Sequence, residues 1–420
     1  MLFASLTVRN LPQVMQQPAV QKVPLHSSAT QIQDQDSSTP LAPFPGSATQ
    51  SSLTLPTEDY VVYEQQKNIY FSSAAGGPSH VIATPGYIYN RAVSPILMPD
   101  GQLLYSGDGL WITDVFTGGA TQIAQLPPGQ VITSMVLSRD GTAIAWSTEP
   151  VDGSGMVNIY AGPLTNSVLV YQQSASDCPC FRVFSFLDAT GVQPNTVLLL
   201  TDDRGDHRGV RYGLWTFILN SIPLQDPQPL LDENPQQGPL ALLPATNTLL
   251  YSTYEGLVPP PTDKSVPDDI AALNYANSLS VATIDTKSLV LGKPSVILPE
   301  QHQLSSSADY HWVTTPRFSA DGHTLVFVEF SSDAQAPFDR HNALYTVQVA
   351  GSGSHLRVGK PRLLATATSL LLELGPWINS HVLTFYSDGV LYALDIYSGA
   401  MSTIAQTGAY AHIVAIVEQG

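Results

Sequence analysis

The stretch FSADGHTLVFVEF, residues 318–330, places an Asp-Gly pair between two apolar runs. The same arrangement occurs in LMPDGQLLYS from Leu97 and in LSRDGTAIAWS from Leu137. Asp accepts a hydrogen bond from its own backbone two residues further on, and Gly adopts a positive φ without the steric penalty of a Cβ. Such a pair is typical of a tight turn between antiparallel strands. The three copies therefore predict three hairpins built to one plan.

Each of these turns opens a longer repeat of short, strand-like segments. After the turn in 318–330 come TLVFVEFS, NALYTVQVAG and PRLLATA, and equivalent segments follow the turns at Asp100 and Asp140. With the segment before the turn, each unit has four strands, and a period of roughly forty to sixty residues is in the range of propeller blades. The sequence therefore predicts an all-β fold, a single β-propeller of four-stranded blades.

Strand-like segments continue from Asp59 to the end of the chain and fall into seven units. The units span about 60–85, 94–127, 131–172, 180–232, 238–299, 313–366 and 370–407, and one segment, 412–419, is left over. Because the first unit lacks its innermost strand, we expect the leftover segment to complete it and to close the ring, which removes open sheet edges. Units four, five and seven replace Asp-Gly with DATG, PATN and INS, so six or eight blades remain alternatives to seven.

The N-terminal segment differs in composition from the rest of the chain. From about residue 10 to residue 56 it consists mainly of Gln, Ser, Thr, Pro and Ala, with few large apolar residues and no periodicity. This composition predicts a disordered tether over 1–56, followed by the propeller over 57–420. The opening MLFASLTV is either the remnant of a signal or membrane anchor or an ordinary terminus, and it is too short to span a membrane.

Composition limits the possible partners. The chain has 420 residues, 43% of them hydrophobic, which is enough for a large core. Its formal net charge of −17 makes nucleic acid and anionic membrane surfaces poor partners, because both repel an acidic protein. We expect a monomer that is not inserted in a membrane. The low Lys content and the Gln/Ser/Thr-rich tether favour an extracytoplasmic location: periplasmic, cell-surface or secreted.

The repeat resembles a known family. PDGQLLYS followed by GLWITDVFTGGATQIAQL, and FSADGHTLVFVEF followed by NALYTVQVAG, are similar to the TolB-type β-propeller repeat, a WD40-like repeat also called PD40. The resemblance is clear in three units and looser in the others, and it covers most of residues 60–419. It implies a propeller that docks protein partners in the bacterial envelope. TolB itself has six blades and a separate N-terminal domain, and this sequence departs from it on both points.

Motifs for catalysis are scarce. The sequence has no His-Glu-x-x-His zinc pattern, no phosphate-binding loop, no dinucleotide fingerprint and no Gly-x-Ser-x-Gly elbow. Cys178-Pro179-Cys180 is either a redox or metal pair, or two thiols or a structural bridge, and the structural interpretation is preferred because two ligands do not make a metal site. The Arg-Gly-Asp within 201–211 is a weak receptor motif, because a tripeptide match in 420 residues has little significance, and a solvated loop between the second and third strands of unit four is the preferred interpretation.

Topology gathers the long insertions on one side of the predicted ring. Loops between the second and third strands of each blade share a face with the blade-to-blade segments, and the Asp-Gly turns lie on the opposite face. The long insertions 150–155, 201–211, 255–276 and 331–341, with segment 300–311, carry many charged residues. Function in rigid scaffolds concentrates on such loops. The predicted binding residues are Asp202, Asp203, Asp206, His207, Asp309, His311, Asp333, Asp339, Arg340 and His341.

Two functions fit this pattern. The preferred one is a non-catalytic module that binds a protein or glycan partner through the long-loop face, without a catalytic residue, metal or cofactor. The alternative is a hydrolase or lyase that uses His and Asp residues on the same face, with a divalent cation as an optional cofactor. Asp202, Asp203 and Asp206 have some likeness to a calcium loop but lack the distal Glu. No spacing in the sequence requires catalysis.

Overall fold

The computed structural model describes most of the chain from Leu53 onward. The described residues are 53, 55–90, 93–176, 180–188, 193–201, 212–220, 225–234, 237–243, 247–253, 278–298, 310–332, 340–351, 353–367 and 372–418. They contain thirty β-strands and one 3-10 turn, Gly353–His355. No helix in this part of the chain has the length and apolar character needed to cross a membrane.

The strands follow the predicted units closely. The first half of the chain contains β1 (Asp59–Gln65), β2 (Asn68–Ser73), β3 (His80–Ile82), β4 (Ile96–Leu97), β5 (Gln102–Ser106), β6 (Gly109–Asp114), β7 (Ala120–Gln125), β8 (Gln130–Leu137), β9 (Ala143–Pro150), β10 (Met156–Pro163), β11 (Val168–Ser174), β12 (Arg182–Phe186), β13 (Val197–Thr201), β14 (Tyr212–Ile218) and β15 (Gln228–Asn234).

The second half contains β16 (Gln237–Leu243), β17 (Thr248–Thr253), β18 (Ser278–Asp285), β19 (Val290–Leu291), β20 (Ser295–Leu298), β21 (Tyr310–Phe318), β22 (Thr324–Ser332), β23 (Arg340–Ala350), β24 (Arg357–Val358), β25 (Arg362–Ala367), β26 (Leu372–Trp377), β27 (Val382–Ser387), β28 (Val390–Asp395), β29 (Met401–Gln406) and β30 (His412–Glu418).

These strands form seven antiparallel sheets, one for each predicted blade, and so confirm the seven-bladed propeller. Blade 1 has the order β3-β2-β1-β30, with β1 paired to β30 from Asp59 opposite Glu418 to Glu64 opposite His412. The last strand of the chain therefore completes the first blade, as predicted. Blades 2, 3, 4 and 7 contain β4–β7, β8–β11, β12–β15 and β26–β29 in chain order across each sheet.

Blades 5 and 6 depart from the expected four strands. In each of them two short strands follow one another at the outer edge, β19 and β20 in blade 5 and β24 and β25 in blade 6. Both members of each couple pair with the same neighbour, β18 or β23. The fourth position is therefore filled by an interrupted strand, and the blade plan is otherwise unchanged.

The core lies between blades. The described residues form seven apolar clusters, and each cluster joins two neighbouring blades, including blades 7 and 1. The second strands explain this arrangement: Leu103 packs toward blade 1, while the adjacent Leu104 packs toward blade 3. Successive side chains of a strand point to opposite faces, so a strand between two blades must be apolar on both. Continuous runs such as VLLLT in β13 meet this requirement.

The predicted turns are confirmed in detail. Gly101, Gly141 and Gly322 have φ values of 82°, 72° and 73°, which only glycine adopts without strain. Asp321 accepts a hydrogen bond from the backbone N–H of His323 at 3.0 Å, and the other two turns repeat this bond. Where Asp-Gly is absent in blade 7, the Asn379 side chain accepts from two backbone N–H groups instead.

The topology defines two faces and a channel. In every blade the inner strand runs from the side of the blade-to-blade segments to the side of the Asp-Gly turns; these sides are called the loop face and the turn face. The inner strands are β30, β4, β8, β12, β16, β21 and β26. Several of them contact the inner strand of the next blade, for example β26 with β30 and β8 with β12. The space that they surround is the central channel.

Candidate functional site

Seven of the ten binding residues predicted on the loop face lie outside the described residues. These are Asp202, Asp203, Asp206, His207, Asp309, Asp333 and Asp339. The other three belong to strands of blade 6: His311 pairs with Ser331 in the backbone register, His341 pairs with the same Ser331 from the other side, and Arg340 pairs with Ser332. The register thus brings the backbones of His311 and His341 to one level of blade 6. Their role as binding residues stays a prediction.

The aspartates of the turn face are occupied by their own turns. Hydrogen bonds from the Ser138 hydroxyl and from Thr142 lower the pKa of Asp140 to about 2. Asp321 likewise has a lowered pKa, first because of the Ser319 hydroxyl and then because of the His323 backbone. On the loop face Asp152 makes the same kind of turn with the Ser154 backbone N–H at 3.0 Å. These carboxylates therefore shape the backbone and have little capacity left for a ligand.

Two further carboxylates lie at the loop-face end of the channel, and with the side chains hydrogen-bonded to them they are called the acidic cluster: Glu64, Tyr87, Glu373, Tyr410 and His412. Glu64 stands near the end of β1, opposite His412 at the start of the inner strand β30. Glu373 is the second residue of the neighbouring inner strand β26. Tyr87 and Tyr410 come from the blade-to-blade segments before blades 2 and 1. The closure of the ring thus brings together residues from both ends of the propeller sequence.

Hydrogen bonds divide the acidic cluster into two parts. The Tyr87 hydroxyl donates to Glu64 Oε2 at 2.6 Å, while Oε1 is buried without a hydrogen-bond partner of normal geometry among the described residues. The Tyr410 hydroxyl donates to Glu373 Oε2 at 2.5 Å, and His412 Nδ1 is hydrogen-bonded to Glu373 Oε1. Glu64 is 1% exposed, whereas the His412 and Glu373 side chains are 20% and 24% exposed. The Glu373–His412 pair is therefore accessible, and Glu64 lies behind it.

Burial dominates the electrostatics of the cluster. It raises the pKa of Glu64 above its ordinary value, an effect that Tyr87 and His412 oppose and the charge of Glu373 reinforces. Burial next to Glu64 also raises the pKa of the Tyr87 hydroxyl. A carboxyl of this kind binds a proton more readily than a surface glutamate does, and it is stabilised by any cationic or hydrogen-bond-donating group that approaches.

This raised pKa predicts a pH-dependent effect of Glu64→Gln. Because the folded chain holds the proton more tightly than the unfolded chain, stability falls as the pH rises from the ordinary value of 4.5 through the raised one. Glutamine keeps an acceptor for Tyr87 and carries no charge. We expect Glu64→Gln to stabilise the protein at pH 8 and to have little effect at pH 4, as measured by chemical denaturation at both values. Glu418→Gln, at an exposed position of β30, is the control, and an equal effect at both pH values would contradict the assignment.

The channel also contains a cavity of about 440 Å³, called the channel cavity. Its walls are residues 240–243 of β16, residues 315–318 of β21 and Trp377 at the end of β26. All three are inner strands, so the cavity lies against blades 5, 6 and 7. Leucine, phenylalanine and tryptophan side chains form most of the wall, and Arg317 supplies its positive charge.

Two irregular strands build this cavity. The register of β21 shifts between Thr314 and Arg317, and Thr315 there has a φ of 45°, which is rare for a β-branched residue. The register of β26 shifts between Leu374 and Trp377, where Pro376 follows a glycine. A bulge re-aims the side chains that follow it and often lies next to a functional site. The bulges come directly before Arg317 and Trp377, which carry the N–H donors of the wall.

A second cavity of about 300 Å³ lies beside blades 3, 4 and 5. Its walls include Arg139, Asp188 and Asn247, which belong to the turns of those blades, together with Leu137 and Phe186. It therefore opens at the turn face. Here the arginine has a carboxylate in the same cavity wall, unlike the arginine of the channel cavity.

The sequence left open the state of the two cysteines and the presence of a divalent cation. Cys180 is disulfide-bonded, and the only other cysteine of the chain is Cys178. A bonded cysteine is neither a free thiol nor a metal ligand, so the structural bridge and the redox pair remain as alternatives. Within the described ranges, no three His, Cys, Asp or Glu side chains are grouped as metal ligands. The candidate calcium loop at 202–206 lies outside those ranges, so the divalent cation stays a prediction.

Sequence reasoning missed both sites. Glu64 occurs in the strand-like run YVVYEQ and gives no signal of its own, and Glu373 occurs in an equally apolar context, LLELGPWI. Arg317 comes immediately before the stretch that identified the repeat. A charged residue on the inner strand of a predicted propeller is the one available signal, because that strand lines the channel and must face either a neighbour or the channel itself.

The described residues define a closed, seven-bladed β-propeller with an acidic cluster and a basic, largely apolar cavity on its channel wall. No protein-family model and no curated protein sequence matches the chain. Solved structures do match. An oligogalacturonate lyase in complex with manganese is 14% identical and has a TM-score of 0.50, over 84% of this chain and 86% of that one.

Two further solved structures also match. A protein of unknown function from Desulfotomaculum acetoxidans is 11% identical, with a TM-score of 0.50 over 84% of this chain and 98% of that one. A candidate TolB from Agrobacterium tumefaciens is 15% identical, with a TM-score of 0.38 over 74% of this chain and 89% of that one. At these identities the two matches with a TM-score of 0.50 establish the propeller fold alone.

Proposed function

We propose that this protein is a non-catalytic, extracytoplasmic binding module that docks a protein or glycan partner on the loop face of its propeller. The observation that carries the proposal is the contrast between the two faces. Aspartates on the turn face are hydrogen-bonded within their own turns. At the loop-face end of the channel, by contrast, the Glu373–His412 pair is accessible. Glu64 lies behind this pair, and its Oε1 has no partner of normal geometry among the described residues. Carboxylates in this state favour lysine or arginine side chains and sugar hydroxyls as partners.

Two further points support the location and the mode of action. A disulfide at Cys180 is typical of oxidising compartments outside the cytoplasm. Residues 1–56 would then tether the propeller, which would act as a monomer without binding nucleic acid. Glu64 is 1% exposed, so a partner would contact the accessible Glu373–His412 pair, and the buried carboxyl of Glu64 would act on the partner from behind that pair.

The alternative function is a hydrolase or lyase. It is favoured by the Glu373–His412 pair, because a carboxylate that orients a histidine is a common arrangement for a general base, and both side chains reach solvent. His311 and His341, which share a backbone level in blade 6, would belong to the same site. A purified protein that releases product from a bound glycan, and loses this activity in Glu373→Gln, would establish the enzyme in place of the module.

The proposal predicts that binding and stability separate between the two faces. Partners would first be found with a glycan panel and an extracytoplasmic protein fraction. We expect Asp202→Asn with Asp203→Asn and Asp206→Asn, and separately Glu373→Gln, to weaken binding about tenfold or more, since each removes a charged hydrogen-bonding group. The melting temperature of the triple aspartate variant should be unchanged or slightly raised, because like charges are removed.

Turn variants provide the matched control. Asp100→Ala, Asp140→Ala and Asp321→Ala each remove the bond that holds an Asp-Gly turn and should cost about 1 kcal/mol of stability. Partner affinity should stay within about twofold of the unmodified protein. Turn variants that lose binding while the loop variants keep it would assign the docking surface to the turn face.

A further inference from the structure

We propose that the channel cavity is a binding site for a small organic carboxylate with an apolar ring, separate from the partner site on the loop face. In this site the Arg317 guanidinium receives the carboxylate, and Trp377, Phe318 and the leucines of β16 surround the ring. The two sites favour different ligands. The carboxylates of the acidic cluster favour cationic or hydroxyl groups, whereas Arg317 in the channel cavity favours an anion.

The first argument is the state of Arg317. It makes no hydrogen bond or ion pair with any described residue, and burial lowers its pKa, with the charge of Glu373 as the opposing influence. Its side chain nevertheless reaches solvent, as expected for a group that protein surrounds but that faces an open channel. A guanidinium that protein surrounds on several sides, with no partner among the described residues, favours a planar anion, which supplies both an opposite charge and hydrogen bonds. A carboxylate fits its paired donors in two parallel bonds.

The second argument is the wall around Arg317. Leu240, Leu242 and Phe318 offer apolar surface, and the Trp377 indole offers a flat face. The Trp377 Nε1–H group is buried without a hydrogen-bond partner in the described part of the chain, which is unusual for a native indole and marks this wall as incompletely satisfied. The volume of about 440 Å³ is within the range of small-molecule sites. A bare inorganic anion would use Arg317 and leave the apolar wall in contact with water.

The third argument is the backbone that positions these side chains. Thr315 keeps a left-handed conformation that is strained for a β-branched residue, and the strain occurs two residues before Arg317. A regular β21 would alternate its side chains without a shift between Thr314 and Arg317. The strained backbone at Thr315 and the shifted register after Thr314 together turn the Arg317 side chain toward the channel. This is the arrangement expected if Arg317 binds a ligand there.

The test uses ligand pairs that differ only in charge. Benzoate and cyclohexanecarboxylate would be titrated into the full-length protein by calorimetry or by saturation-transfer NMR, with benzamide and cyclohexanecarboxamide as neutral counterparts. We expect both acids to bind at least tenfold more tightly than their amides. Acetate and inorganic phosphate, which have no ring, should bind at least tenfold more weakly than benzoate. Equal affinity for acid and amide, phosphate binding as tight as benzoate binding, or no acid binding at millimolar concentration would overturn the proposal.

Variants then locate the site. Arg317→Gln should weaken benzoate binding about 10- to 100-fold, as expected for loss of a charge-assisted bidentate contact, and Arg317→Lys should have an intermediate effect. Arg139→Gln, which changes the arginine of the second cavity, is the control and should leave benzoate affinity within twofold. Melting temperatures of all three variants would be compared with the unmodified protein. Benzoate affinity that survives Arg317→Gln in a folded protein, or that depends on Arg139, would contradict this site.

Discussion

Removing β30 is expected to abolish the folded monomer. Deletion of residues 412–420 takes away the inner strand of blade 1, together with Ile413, Ala415 and Val417, which are all buried. Burial of an Ile or Val side chain contributes about 1.5–3 kcal/mol each, and β1 also loses the partner for its backbone hydrogen bonds. The total is expected to exceed about 5 kcal/mol, which is comparable to the whole stability of an ordinary domain.

The truncated chain should fail in one of two recognisable ways. Either it unfolds, or it associates through the exposed edge of β1, since an unpaired edge next to an apolar surface invites pairing with another chain. Circular dichroism and size-exclusion chromatography with light scattering would distinguish the two. A chain that lacks only residues 419–420 is the control and should match the full-length protein. A monomer lacking 412–420 that melts like the full-length protein would show that the ring does not depend on this closure.

Most of the fold, including the closure of the ring by β30, could be predicted from sequence. Three Asp-Gly turns identified the repeat, because both residues act locally: one bonds its own backbone and the other adopts a positive φ. The first unit lacked one strand and the C-terminus had one strand too many, so pairing the two was the simplest way to complete the ring. The interrupted outer strands of blades 5 and 6 were missed, because an outer strand is half-exposed and carries little apolar periodicity.

The sites were less predictable for a physical reason. Glu64, Glu373 and His412 are far apart in sequence and become neighbours through closure of the ring. The channel cavity likewise combines inner strands of three blades, and Arg317 owes its position to a bulge that no residue pattern announces. Sequence indicated which face carries the long loops. It could not indicate which charges the inner strands would assemble, since that depends on how the blades are arranged around the channel.

Backbone packing around Gly107, a residue outside the acidic cluster, positions one member of that cluster. Gly107 lies between β5 and β6 and pairs with Tyr87 in an isolated bridge. A Cβ at this position would be 2.0 Å from the carbonyl oxygen of Gly86, closer than any non-bonded contact allows, so the 86–87 backbone would have to move. Tyr87 is the residue that donates to Glu64 Oε2 at 2.6 Å. A single added methyl group therefore acts on the cluster through the backbone.

We expect Gly107→Ala to destabilise the protein by about 1–3 kcal/mol, the usual cost of overpacking. It should also leave a signature in the pH dependence of stability. Displacing Tyr87 removes a hydrogen bond that favours the ionised form of Glu64, so the pKa of this carboxyl should rise further and stability should fall more steeply between pH 5 and pH 8. In the background of Glu64→Gln this additional slope should disappear, while the packing cost remains.

Gly119→Ala is the matched control for this prediction. Gly119 belongs to the same blade, in the connection between β6 and β7, and the nearest atom to an added Cβ is the Thr117 hydroxyl oxygen at 3.9 Å. Its substitution should change the free energy of unfolding by about 0.5 kcal/mol or less and leave the pH dependence unaltered. Urea denaturation at several pH values would measure both quantities for both variants. If Gly107→Ala and Gly119→Ala behaved alike, the backbone contact between Gly107 and Gly86 would not be what holds Tyr87 against Glu64.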